Sequence, residues 1–111
     1  MSKMHNKPLI SIITVTYNSE KTIHKTIESV INQKYKNYEY IIKDGLSTDK
    51  TIDLIYSYEN DIDCIISKED CGIYDAMNYA IKETNGDWII FLNADDHFYD
   101  DKVLNRFEKY I

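Results

Sequence analysis

An acidic segment, Asn93-Ala94-Asp95-Asp96, directly follows the most hydrophobic stretch of this 111-residue chain, at residues 88–92. Carboxylate oxygens are preferred ligands of Mg²⁺ and Mn²⁺, which commonly bind one or two protein carboxylates together with phosphates. We therefore predict that the segment closes a buried strand and, with one of these cations, holds the phosphates of a ligand.

Polar residues follow three other apolar stretches in the same manner. They are Thr16-Tyr17-Asn18, Asp44-Gly45 and Lys68-Glu69-Asp70. Three of the four groups bring a carboxylate, and carboxylates that converge without basic partners repel one another unless a cation neutralises them. Tyr17 offers a flat face on which a base could stack. The sequence therefore predicts one site, formed by all four groups, for a cation and an anionic ligand.

The elements that must position these groups alternate between strands and helices. The predicted strands are residues 9–16, 38–43, 62–67 and 88–92, and between and after them apolar residues recur at helical spacing. Asn18 or Ser19, and Ser47 or Thr48, are candidate helix N-caps. This alternation predicts an α/β fold, a Rossmann-like three-layer sandwich with a mainly parallel sheet of about four strands and helices on both faces. Ligands of such sheets bind beyond the carboxyl ends of the strands, where the four polar groups fall.

Composition limits the class of protein. The length suits one domain, predicted at residues 9–111 after a polar segment at residues 1–8, and 43% hydrophobic residues can form a core. The net charge of -6 argues against a nucleic acid partner. No stretch is apolar enough for a membrane span or a signal peptide, and Cys64 and Cys71 are expected to be reduced. We predict a cytoplasmic protein and leave open a peripheral position at the inner face of the membrane.

The residues around these groups resemble a known family. The segments are residues 12–18, Asp44-Gly45-Leu46-Ser47-Thr48-Asp49-Lys50-Thr51, and Asn93-Ala94-Asp95-Asp96 after an apolar strand. Together they resemble the family 2 glycosyltransferases, which are inverting enzymes with the GT-A fold. The block at residues 70–78 resembles a variant found in enzymes of bacterial surface-polysaccharide assembly. The resemblance extends from Leu9 to about Tyr99.

The resemblance implies a ligand and a role for each residue. The donor would be a nucleotide-sugar, expected to be a UDP-sugar, with Mn²⁺ or Mg²⁺ as cofactor, and the acceptor a saccharide or a lipid-linked molecule. Thr16 and Tyr17 would line the base pocket, and Asn18 would also bind the nucleotide-sugar. Asp44 would accept a hydrogen bond from the base, and Asp70 would lie near the nucleoside or the donor sugar. Asn93 and Ala94 would lie along the donor, and Asp95 would bind the metal.

The sequence departs from the family pattern in two respects. Asn93 stands where the family motif usually begins with Asp, so metal binding would depend on Asp95, helped by Asp96. The general base of an inverting transfer comes from a later segment of the family, so we expect it beyond Ile111. We therefore predict a donor-binding half whose exposed apolar surface favours self-association.

Three alternatives stay open from the sequence. The chain could be a nucleotide-binding fragment without activity. It could be a receiver-type signalling module with Asp70 as the phosphoacceptor, although that class needs an acidic pair after the first strand. Asp44-Gly45 could be a turn alone, because Asp and Gly favour turns.

Overall fold

The computed structural model describes residues 8–111, so most of the predicted polar segment at residues 1–8 lies outside the described residues. The strands are β1 (Ile10–Thr16), β2 (Tyr38–Asp44), β3 (Cys64–Ser67) and β4 (Trp88–Phe91). The helices are α1 (Ile23–Ile31), α2 (Thr51–Tyr56), α3 (Ile73–Ile81) and α4 (Val103–Glu108), with a 3-10 turn at Glu59–Asp61. Both ends of every predicted strand lie within two residues of the observed ends.

The four strands form one parallel sheet in the order β3-β2-β1-β4. Thr16 pairs with Asp44, and Asp44 pairs with Ser67, so β1, β2 and β3 end level with one another. Ile13 pairs with Phe91, which places the segment after β4 beside the end of β1. The register therefore brings all four polar groups to one edge of the sheet.

Helices cover both faces of the sheet. Successive side chains of a strand point to opposite faces, so each strand contributes to two cores. Ile10 and Ile12 of β1 belong to a core shared with α1, α2 and α4, through residues such as Ile27 and Leu104. Ile13 and Val15 belong to a second core with Ala76 and Ala80 of α3. The predicted three-layer α/β sandwich is confirmed.

The prediction that β4 is a buried strand is wrong. Trp88 is 46% exposed, and Ile89 and Phe91 are also exposed. The physical reason is position: β4 is an edge strand of the sheet that residues 8–111 form, and it pairs only with β1 there. Hydrophobicity of a short stretch predicts a strand but does not show how many neighbours it has.

The predicted N-caps are also wrong. α1 is preceded by Thr22 and α2 by Lys50, and neither residue makes a side-chain capping bond. The polar residues of the two preceding loops bond to each other instead. The main-chain N–H of Asn18 donates to Ser47 Oγ at 2.8 Å, and that of Ser19 donates to Thr51 Oγ1 at 2.7 Å.

Candidate functional site

A cleft of about 460 Å³ lies beyond the carboxyl ends of β1 and β2, where a ligand of an open parallel sheet is expected. The loops after β1, β2 and β3 and the first turns of α3 form its walls. The lining residues are Val15, Thr16, Tyr17, Gly45, Glu69, Asp70, Gly72, Ile73 and Ala76. The structure thus brings three predicted site residues, Thr16, Tyr17 and Asp70, into one cleft.

The end of β1 supplies a flat surface and an unpaired polar atom to this cleft. The Tyr17 side chain is 59% exposed. Thr16 is buried, and its hydroxyl has no hydrogen-bond partner among the described residues. A buried hydroxyl without a partner is unfavourable in the free protein and is satisfied when a ligand supplies the missing bond.

Asp70 has a basic partner that the sequence reasoning missed. Lys43 Nζ lies 2.9 Å from Asp70 Oδ2, and the Lys43 side chain is fully buried. Burial raises the pKa of the Asp70 carboxyl, but the Lys43 hydrogen bond, the Gly72 main-chain N–H and the Lys43 charge lower that pKa below its ordinary value. The available signal was a lysine inside a strand predicted to be buried on both faces, since a buried ammonium needs a partner.

Asp44 faces into its own loop. Its carboxylate is fully buried and accepts hydrogen bonds from the main-chain N–H groups of Leu46 and Ser47 and from the hydroxyls of Ser47 and Ser67. The turn interpretation of Asp44-Gly45 therefore describes this side chain in the structure. A hydrogen bond from a base to Asp44 stays a prediction, and the residue does not line the cleft.

Asn18 is likewise engaged within the protein. Its backbone is left-handed, with φ of 51°, a conformation that Asn adopts more readily than most residues. Its side-chain Oδ1 accepts a hydrogen bond from the Thr48 main-chain N–H at 2.8 Å. Asn18 therefore joins the loop after β1 to the loop after β2, directly next to Tyr17. Contact between Asn18 and a ligand stays a prediction.

The acidic segment lies at the same sheet edge but outside the cleft lining. Ala94 is buried, Asn93 is half-buried, and Asp95 and Asp96 are exposed. The Asn93 Oδ1 atom is buried and lacks a hydrogen-bond partner among the described residues. Thr16 Oγ1 is the other unpaired buried oxygen at this edge. The adjacent strands β1 and β4 are therefore each followed or ended by a polar atom without a hydrogen-bond partner among the described residues.

The carboxylates after β2, β3 and β4 lie at one edge of the sheet, but in the described residues they do not form one cluster of metal ligands. Within residues 8–111, no group of three or more His, Cys, Asp or Glu side chains is close enough to hold a metal ion. Asp44 is satisfied by its loop and Asp70 by Lys43. The exposed Asp95 and Asp96 fit a Mg²⁺ or Mn²⁺ site with one or two protein ligands, in which phosphate oxygens complete the coordination.

The helices of the described chain are short, and none of those between residues 8 and 111 could cross a membrane.

The parallel sheet with its cleft at the carboxyl edge is the architecture of an open α/β domain, a class that binds its ligands at the strand ends. The family model of glycosyl transferase family 2 matches residues 11–111. The chain belongs to this family, which confirms the resemblance drawn from the motifs. The membership does not favour the receiver-type alternative.

Curated relatives are named glycosyltransferases. The chain is 41% identical over 99 residues to the UDP-Glc:alpha-D-GlcNAc-diphosphoundecaprenol beta-1,3-glucosyltransferase WfaP of Escherichia coli, covering 88% of this chain and 39% of WfaP. It is 36% identical over 105 residues to the putative teichuronic acid biosynthesis glycosyltransferase TuaG of Bacillus subtilis, covering 92% of this chain and 42% of TuaG. The chain thus spans about two-fifths of the length of these relatives.

Solved structures share the fold. TarS 1-349 of S. aureus in complex with UDP-GlcNAc superposes with a TM-score of 0.84 and 27% identity, covering 92% of this chain and 30% of that one. The mannosyltransferase PcManGT of Pyrobaculum calidifontis, in complex with GDP-Man and Mn²⁺, gives a TM-score of 0.79 at 22% identity, covering 86% of this chain and 30% of that one. The second likeness is one of fold alone.

Proposed function

We propose that this chain binds a nucleotide-sugar, expected to be a UDP-sugar, and forms the donor-binding part of an inverting glycosyltransferase of cell-surface polysaccharide synthesis. The observation that carries the proposal is the cleft at the carboxyl edge, where exposed Tyr17 and the unpaired Thr16 hydroxyl meet Asp70. Family membership supports it, as do the named activity of WfaP and the UDP-GlcNAc complex of TarS. The acceptor would be a saccharide or a lipid-linked molecule.

Each strand end has a distinct role in this proposal. Tyr17 stacks on the base, and the Thr16 hydroxyl forms a hydrogen bond to the donor. Asp70 faces the nucleoside or the donor sugar. Asn18 and Asp44 hold the loops that carry these residues, through the hydrogen bonds that both side chains accept from the protein.

The acidic segment would hold the diphosphate through a divalent cation. Asp95 is the main metal ligand, with Asp96 beside it, and Asn93 and Ala94 lie along the donor. Bound Mn²⁺ or Mg²⁺ would act as a Lewis acid that stabilises the departing nucleoside diphosphate. The protein residues bind and orient the donor. A general base that deprotonates the acceptor hydroxyl is expected in a later segment of the family, beyond Ile111.

Calorimetric titration of the 111-residue chain with UDP, with and without Mn²⁺, tests donor binding. We expect Mn²⁺-dependent binding of UDP that is tighter than that of GDP. Asp95→Asn should weaken binding in Mn²⁺ by about tenfold or more, because it removes the charged ligand. Asp53→Asn, which removes an equal charge from an exposed position on α2, is the matched control. Absence of metal-dependent binding of any nucleoside diphosphate would reject the proposal in favour of a fragment that binds no donor.

The proposal includes a place in the cell and a state of association. We propose a cytoplasmic location, with a peripheral position at the inner face of the membrane left open. The exposed Trp88, Ile89 and Phe91 of β4 support self-association of the chain. A clean monomer in size-exclusion chromatography with light scattering would contradict the second point.

A further inference from the structure

Lys43 lies one residue before the end of β2, with its ammonium group enclosed by the protein. Its Nζ lies 3.0 Å from the Asp44 carbonyl oxygen, 2.5 Å from the Lys68 carbonyl oxygen and 2.9 Å from Asp70 Oδ2. An ammonium group has three N–H donors, so these contacts use all of them. One buried atom therefore joins the end of β2, the residue after β3 and the loop that leads to α3.

Asp70 connects this buried cation to the wall of the cleft. A Cβ atom on Gly45 would lie 3.1 Å from Asp70 Oδ2 and 3.5 Å from Tyr17 Cδ1, so Gly45 fills the narrow space between the two side chains. The other carboxylate oxygen, Asp70 Oδ1, accepts a hydrogen bond from the Gly72 main-chain N–H at 3.1 Å. The Asp70 carboxylate is thus fixed at both oxygens, and Gly45 lies between it and the exposed Tyr17 ring.

Stability alone is a weak reason for a lysine at this position. The preceding residues Ile41 and Ile42 are also buried, so an apolar side chain suits the strand. Replacing a buried ion pair by apolar residues is often neutral or stabilising. The positive charge of Lys43 has a clearer role beside the cleft that the donor would enter. Two of its lining residues, Glu69 and Asp70, are acidic, and an anionic diphosphate would be repelled by carboxylates without a cation.

We propose that Lys43 is a positioning residue of the donor cleft. It holds the Asp70 carboxylate in place and compensates the negative charge of that carboxylate when a nucleoside diphosphate binds. This inference rests on the proposed function, because it takes the donor as the ligand that Asp70 faces. The other titratable or charged groups around the pair come from three elements. They are Tyr17 after β1, Lys68 and Glu69 after β3, and Tyr79 of α3, whose ring centroid lies 5.5 Å from Lys43 Nζ.

A double-mutant cycle on UDP binding in Mn²⁺ tests whether Lys43 acts through Asp70. Lys43→Met should lower the affinity of the 111-residue chain by about tenfold. In an Asp70→Asn background the same change should cost less than about twofold, because the carboxylate that Lys43 holds is gone. Unchanged affinity in Lys43→Met would overturn the proposal. Equal losses in both backgrounds would also overturn it, because they indicate a general structural effect.

A second measurement does not depend on the nucleotide. Carbon-13 NMR titration of the Asp70 carboxyl should show a higher pKa in Lys43→Met than in the wild type, since a hydrogen bond and a charge that lower it are removed. Lys68→Met, which removes an exposed ammonium group from the same loop, is the matched control and should shift that pKa less. An unchanged Asp70 pKa in Lys43→Met would overturn the inference even in a chain that binds UDP. If the wild type binds no nucleoside diphosphate, the proposed function fails, and the titration still decides whether Lys43 controls Asp70.

Circular dichroism establishes whether the variants fold. If Lys43→Met does not fold, Lys43→Gln replaces it, because an amide keeps donors for the two carbonyls but carries no charge. If neither variant folds, Asp70→Asn alone decides, and unchanged UDP affinity in that variant would overturn the proposal.

Discussion

The Thr26 hydroxyl on α1 lies 2.8 Å from the carbonyl oxygen of Ala94 and 2.5 Å from that of Asp96, and it donates its hydrogen to this pair of acceptors. The two carbonyls lie on either side of Asp95. One turn further along α1, Ser29 Oγ accepts a hydrogen bond from the Phe98 main-chain N–H at 3.0 Å. The main chain around Asp95 is therefore fastened to α1, although the Asp95 side chain is exposed.

Thr26→Val keeps the shape of the side chain and removes its hydroxyl. We expect the free energy of unfolding to fall by about 1–2 kcal/mol, because the buried Ala94 carbonyl and the partly buried Asp96 carbonyl lose their shared donor. Mn²⁺-dependent UDP binding should weaken several-fold, because the main chain around Asp95 is less constrained. Urea denaturation and calorimetry measure the two effects. Thr22→Val, at a threonine of the same helix region without a side-chain capping bond, is the matched control. Equal stability of wild type and Thr26→Val would contradict the role of the hydroxyl.

Asn18→Gly and Asn18→Ala separate the conformation of the loop from its hydrogen bond. Both variants lose the acceptor for the Thr48 main-chain N–H, but only alanine is strained at a φ of 51°. Alanine should therefore be less stable than glycine at this position by about 1 kcal/mol. Both variants should bind UDP more weakly than the wild type, because Tyr17 precedes the loosened residue. Chemical denaturation of the pair measures the difference, and a glycine variant that is the less stable of the two would refute the argument.

Asp44→Asn tests the structural role of the enclosed carboxylate. Asp44 Oδ2 accepts three of the four hydrogen bonds, so the amide of Asn keeps its oxygen there and places its NH₂ group at the Oδ1 position. The Ser47 hydroxyl must then change from donor to acceptor, and the remaining bonds lose the strength that the carboxylate charge gives them. We expect a loss of about 2–3 kcal/mol in the free energy of unfolding. Ser67→Ala, which removes one of the four donors, should cost less. If Asp44→Asn keeps wild-type stability and loses only UDP affinity, the residue serves the base directly.

Glu39 gives the fold a dependence on pH at the opposite edge of the sheet. Its carboxylate accepts hydrogen bonds from Ser11 Oγ and from the Asn85 main-chain N–H, each at 2.5 Å. Burial raises the pKa of Glu39, but these hydrogen bonds outweigh the effect of burial and hold the pKa below its ordinary value. A lowered carboxyl pKa contributes stability above the unfolded-state pKa, and that contribution is lost as the pH falls through the folded-state pKa.

Glu39→Gln should therefore be less stable than the wild type near neutral pH. The difference should shrink as the pH falls from the unfolded-state pKa, about 4.3, through the lower folded-state pKa, because the unfolded chain binds the proton first. Urea denaturation across this range measures the effect. Glu59→Gln, in the exposed 3-10 turn, is the control and should show no such convergence. A constant difference between Glu39→Gln and the wild type at every pH would contradict the assignment.

Much of the fold could be predicted because its signals are local. Apolar runs such as the one in β1, followed by helical spacing in α1, predict strand and helix without knowledge of the neighbours. The helix starts could not be predicted in the same way. Ser47 has the right residue type for an N-cap, yet its hydroxyl donates to Asp44 and accepts from the Asn18 main-chain N–H. A cap and a loop-to-loop bond use the same donors and acceptors, and only the folded chain selects between them.

The site was predictable in place and less so in its electrostatics. Parallel strands send their carboxyl ends to one edge, so the order of the motifs was enough to bring Thr16, Tyr17 and Asp70 together. Whether a carboxylate is free to bind a metal depends on the hydrogen-bond and ion-pair partners that surround it in the folded protein. Asp70 is paired with Lys43, 27 positions away in the sequence. A lysine in a buried strand indicates that a partner exists but does not indicate which residue it is.

The sequence by itself determined the family, the α/β alternation and the edge of the sheet that carries the polar residues, because each follows from motifs and periodicity along the chain. The tertiary structure alone decided the state of each carboxylate. Asp44 is enclosed by donors, Asp70 is compensated by Lys43, and Asp95 is exposed on a main chain that Thr26 holds. These differences depend on burial and on partners distant in sequence, which exist only once the strands lie side by side.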